Sequence, residues 1–185
     1  GLESETVIGG NECSFGSCNL DGEMGSLASL DYGLKLALDE NQNLYFTNQS
    51  NIYKVTTSGD GITGNETISM VVGCPAGSTC PSDSTNPQFV ELSGPNDIDF
   101  DKDGNIWITE SYNFKIRRLN ASNNQLEVVA GTGAECQTAD CGNNGNALAA
   151  QIGVVQALQP MSDGSVLISE ETITTSESGG ASGGS

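Results

Sequence analysis

Hydrophobic and polar residues alternate along this 185-residue chain in short segments separated by Asp, Asn and Gly. Leu34-Lys35-Leu36-Ala37-Leu38 alternates, turns through Asp39–Gln42 and resumes as Asn43-Leu44-Tyr45-Phe46. Asn96-Asp97-Ile98-Asp99-Phe100, the turn Asp101-Lys102-Asp103-Gly104 and Asn105-Ile106-Trp107-Ile108 repeat that plan. A third copy reads Val155-Gln156-Ala157-Leu158, a turn at Ser162-Asp163-Gly164, then Ser165-Val166-Leu167-Ile168. Period-two alternation around residues that tolerate positive φ predicts β-hairpins. Third strands are predicted at Ile52–Val55 and Lys115–Leu119, and a strand precedes each cysteine loop, at Val7–Gly9, Met70–Val72 and Leu126–Val129.

The cysteines set the period. Cys13 and Cys18, Cys74 and Cys80, and Cys136 and Cys141 form three pairs whose first members stand 61 and 62 residues apart. A spacing that steady in loop residues marks internal duplication. The turn residues Asp21, Asp83 and Asn144 and the aliphatics Leu30, Leu92 and Ile152 keep the same phase. The expected fold class is all-β: a propeller-like array of three four-stranded antiparallel blades. The copies cover about residues 7–70, 71–128 and 129–170, the last incomplete, and 171–185 reads as a flexible Ser, Thr and Gly-rich tail.

The run Gly94-Pro95-Asn96-Asp97-Ile98-Asp99-Phe100-Asp101-Lys102-Asp103-Gly104-Asn105-Ile106-Trp107-Ile108-Thr109-Glu110, with Asn113 and Lys115-Ile116-Arg117-Arg118, resembles an NHL repeat. Val129-Ala130-Gly131-Thr132-Gly133 with Asn143–Ala147 resembles the long-loop variety of that repeat. The resemblance covers nearly the whole chain and is fullest in the second copy. It implies a β-propeller, usually six-bladed, that most often serves as a binding or spacing module. Paired loop cysteines are not general in that family, and three blades are fewer than the four to eight that close a propeller. The third copy stops after two strands, while Glu5–Gly9 reads as a fourth strand lacking its first three. Unpaired strand edges are templates for other chains. Blades completed between chains are therefore expected, as a closed ring of two chains or an open filament. The plainer reading is a fragment whose remaining blades lie elsewhere in its protein.

Charge narrows the partners. Six Lys and Arg stand against 24 Asp and Glu, a net charge of −18, which repels nucleic-acid phosphates and anionic membrane surfaces. There is no histidine, so Ser-His and Cys-His nucleophile systems are excluded. No apolar run approaches the roughly 20 residues of a membrane-spanning helix. The cysteine spacings suit local loop disulfides, which point to an oxidising, extracellular setting. Metal binding by the thiolates, the rival reading, needs four convergent cysteines, whereas these pairs fall on different blades. Asn48, Asn65 and Asn120 open Asn-x-Ser/Thr sequons at predicted turns and are candidate N-glycosylation sites.

Asp99, Asp101, Asp103, Gly104, Ile106 and Glu110 match the spacing of an EF-hand calcium loop. No flanking helices are predicted, and a hairpin turn explains the same letters, so Asp99, Asp101, Asp103 and Glu110 stand only as a weak calcium set. The expected function is a non-enzymatic, secreted structural or adhesive glycoprotein that self-assembles into an extracellular fibre or coat through blade completion. No cofactor is expected beyond covalent N-linked glycans. The expected partner is a second copy of the chain. The alternative is a propeller module that recognises an extracellular protein or glycan. A calcium-dependent lactonase-like enzyme is a third reading, set aside because no acidic cluster repeats toward one axis.

Overall fold

The computed structural model describes residues 11–12, 20–22, 29–30, 35–48, 50–56, 66–138, 140–142 and 144–171, with backbone alone at 11, 12 and 29. The predicted strand at Val7–Gly9, the pair Cys13 and Cys18, the sequon at Asn65 and the tail from 172 lie outside them.

The described chain is all-β, and its helical content is one 3-10 turn at Ala147–Ala149. β1 (Asn11–Glu12) and β2 (Ser29–Leu30) form a short parallel pair. The first four-stranded sheet runs β3 (Leu36–Leu38), β4 (Leu44–Asn48), β5 (Asn51–Val55) and β6 (Ile68–Val72) in chain order. The second runs β7 (Pro95–Phe100), β8 (Ile106–Glu110), β9 (Lys115–Leu119) and β10 (Leu126–Ala130). Every neighbouring pair in both is antiparallel. β11 (Val154–Pro160) and β12 (Val166–Glu171) make a further antiparallel hairpin. Val, Ile, aromatic and Thr residues suit these half-buried pleated surfaces.

Three apolar clusters hold the sheets. Tyr45, Ile52 and Val72 of the first sheet pack with Ile98, Ile108 and Leu126 of the second. Trp107 and Ile116, on the opposite face of the second sheet, pack with Val155 and Leu158 of the last hairpin. Phe46, Tyr53 and Ile68 lie on the first sheet's far face under Leu20 and Leu30. Each such side chain contributes about 1.5–3 kcal/mol on burial. The periodic aliphatics Leu30, Leu92 and Ile152 fall one to each cluster.

A polar seam also joins the second sheet to the last hairpin. Asn96 Nδ2 and Ser111 Oγ both donate to the Val155 carbonyl, at 3.0 and 2.9 Å. The Leu158 amide donates to Asp97 Oδ2 at 2.8 Å, and Gln159 Nε2 donates to Asp99 Oδ2 at 2.7 Å.

Candidate functional site

The hairpin turns gather the first set of predicted residues. Asp39 Oδ1 accepts from the Asn41 and Asn43 amides at 2.9 and 2.8 Å, and its Oδ2 accepts from Asn43 Nδ2 at 2.7 Å. Asp101 repeats the arrangement, accepting from the Asp103 and Asn105 amides and from Asn105 Nδ2, and adds Trp107 Nε1 at 2.8 Å. Burial alone would push both carboxyls up, but these combined hydrogen bonds outweigh it and hold each below the ordinary aspartate value. In the last hairpin Met161 takes the corresponding backbone position. There Asp163 instead accepts from the Ser165 hydroxyl and amide, which lowers its pKa as well.

The four residues of the weak calcium set have separate partners. Asp101 is filled by the turn; Asp103 is exposed and pairs with Lys102; Asp99 accepts from the Phe100 amide and Gln159. Glu110 is buried against an arginine. The structure therefore does not bring Asp99, Asp101, Asp103 and Glu110 together around one point. Among the described residues no group of three or more His, Cys, Asp or Glu converges in a way that could hold a metal.

Glu110 belongs to a pairing that the spacing of the sequence hid. Its Oε2 accepts from Arg117 Nε across β8 and β9, and both side chains are shut off from solvent. Arg117 Nη2 donates to the Ser82 carbonyl. Glu110 Oε1 accepts from the Ser93 amide at 2.9 Å and from Asn113 Nδ2 at 3.2 Å. The ion pair thus ties both ends of the Ser82–Ser93 stretch to the centre of the second sheet. The first sheet has Asn48 and Tyr53 at the corresponding positions, since Phe46 pairs with Tyr53 where Ile108 pairs with Arg117. Glu110 ends an alternating strand, and Arg117 sits at an apolar phase in Lys-Ile-Arg-Arg-Leu; those two placements were the available signal.

Cys74–Cys80 and Cys136–Cys141 form disulfides with Cα–Cα separations of 5.8 and 5.5 Å. Each lies between the last strand of one sheet and the first strand that follows. A backbone bond anchors each loop at or just before its first cysteine: Val90 N donates to the Gly73 carbonyl, and Cys136 N donates to the Ile152 carbonyl. Gly73 has φ +154, and a Cβ there would meet Asn51 Oδ1 at 2.1 Å, so only glycine fits.

The two described sequons differ. Asn48 lies inside β4 with 1% of its surface exposed, so a glycan on its Nδ2 is incompatible with this packing. Asn48 is the last residue of β4 and pairs with Asn51 at the end of the β4–β5 ladder. Asn120 sits in the β9–β10 turn, half-buried, with its Oδ1 accepting from the Ser122 amide at 2.9 Å.

Two apolar faces stand open at opposite sides of the array. Leu36 and Leu38 on β3 are 62% and 52% exposed, and Leu167 on β12 is 60% exposed. Ala37 packs into the cluster between the first two sheets, so its neighbours on β3 face away from it. Val166 packs toward Trp107, so Leu167 faces away as well.

No family model and no curated protein matches the sequence. Among solved structures, a Bacteroides thetaiotaomicron protein of unknown function resembles the chain at TM-score 0.55 and 21% identity, over 70% of this chain and 30% of that one. An auxiliary nutrient binding protein from the same organism resembles it at TM-score 0.52 and 13% identity, over 73% of this chain and 34% of that one. The chain therefore spans about a third of the length of these neighbours, and at such identities the likeness concerns the fold.

Proposed function

We propose that this chain is a non-enzymatic structural module of a secreted NHL-type β-propeller protein, which builds an extracellular fibre or coat by stacking repeat on repeat. The two four-stranded sheets are blades in this reading, and the last hairpin is part of a third. The observation that carries it is the pair of open apolar faces flanking repeats that already pack face to face. The disulfides favour an oxidising compartment. The carboxylates that suggested chemistry are occupied in turns and in one buried ion pair. Negative-stain imaging of the purified protein tests the reading: regular assemblies are expected, and particles the size of one chain at every concentration would sink it.

A second reading has specific support. One structural neighbour is an auxiliary nutrient binding protein, and Tyr112 and Phe89, 76% and 42% exposed, offer aromatic surface. A glycan array would bring that reading forward if binding were lost in Tyr112→Ala.

A further inference from the structure

The open faces carry the two halves of a junction that the molecule already makes twice. At the first junction Tyr45 of β4 meets Phe100 of β7 edge-on, with 4.8 Å between ring centres, and packs in one cluster with Ile98. At the second, Trp107 of β8 packs among Val155 and Leu158 of β11. Three turn bonds set the correspondence between copies: Asp39 N to Asn43 O, Asp101 N to Asn105 O, and Met161 N to Ser165 O. Counted from those bonds, Leu167 stands where Tyr45 and Trp107 stand, and Leu36 and Leu38 stand where Ile98 and Phe100 stand.

Inside the molecule three of these positions are closed, and the fourth, Phe100, is half-buried. Tyr45, Trp107 and Ile98 are 8%, 9% and 3% exposed. On the outer faces the same positions are more than half exposed, and all three leucines point outward. One face thus offers a knob without its seat, and the other a seat without its knob.

We infer that Leu167 of one copy seats on Leu36 and Leu38 of a second copy, continuing the packing of the two internal junctions. This rests on the scaffold reading and gives it a polarity. The contact joins unlike faces, so it is head-to-tail and propagates as a closed ring or an open chain. The charge of −18 on every copy opposes each step, so assembly strengthens as salt screens that repulsion.

The test uses the full chain and two variants, Leu167→Asp and Leu36→Asp/Leu38→Asp, studied by size exclusion with light scattering at rising concentration in about 0.5 M NaCl. Wild type is expected to assemble. Each variant alone is expected to be monomeric with an unchanged melting curve, because the substituted side chains are exposed. Mixing the two variants is expected to give a one-to-one dimer and nothing larger, since each keeps one intact face. If either aspartate variant melts early, the corresponding serine variants replace it. A mixture that stays monomeric while wild type assembles overturns the junction. Assemblies that survive both variants also overturn it, and leave the scaffold reading standing. A wild type that is monomeric throughout, and shows single-chain particles by imaging, overturns both.

Discussion

Asp101 satisfies three backbone or side-chain donors of its own turn and the indole of Trp107 with one carboxylate. Removing that acceptor leaves part-buried donors unmet, so Asp101→Ala should cost about 1–3 kcal/mol in denaturant unfolding. The pH dependence follows from the direction of the shifts. Asp39 and Asp101 have folded pKa values below the ordinary 3.8, so the stability they supply is present above that value. It is lost as pH falls through the folded values. The melting temperature should drop from about pH 5 toward about pH 2, and drop less in Asp39→Asn/Asp101→Asn, as circular dichroism would record. At the sequons, mass spectrometry of protein made in a glycosylating host should find glycan on Asn120 and none on Asn48. Occupied Asn48 would contradict its burial in β4.

Among the elements, the second sheet depends on a pair of charges that the first sheet lacks. Arg117→Tyr strands Glu110 without its counter-charge and should cost about 3–5 kcal/mol. Glu110→Asn/Arg117→Tyr installs the residues found at the corresponding positions of the first sheet and should be less damaging than Arg117→Tyr alone. A double variant as unstable as the single one would show that the Ser82 contact, not the stranded charge, sets the cost. The hairpins themselves were legible: alternation around Asp39–Gln42 and Asp101–Gly104 yields β3–β4 and β7–β8, and Lys115–Leu119 is β9 to the residue. Pairing across strands was not legible. Period-two patterning tells which face a residue takes, but not that a terminal Glu will bend onto an Arg seven positions on. The same spacing that mimicked a calcium loop concealed that ion pair. The β6 strand likewise starts at Ile68, two residues before its predicted start, because Ile68 fills the cluster under Leu20.

Among the described residues the second sheet is covered on both faces, whereas β3 at the edge of the first sheet and β12 of the last hairpin stay exposed. Local opening follows coverage. The last hairpin has two strands, an outer strand exposed from Leu167 onward, and Met161 where the other turns have an aspartate that locks them. Hydrogen exchange should therefore be fastest in Val154–Glu171 and slowest in Ile106–Glu110 and Lys115–Leu119. Exchange as fast in the second sheet as in the last hairpin would contradict that order. A hairpin covered on one face alone is then a clock. In the assembly proposed above its amide lifetimes should lengthen as a neighbour closes over β12, so one strand would time that closure.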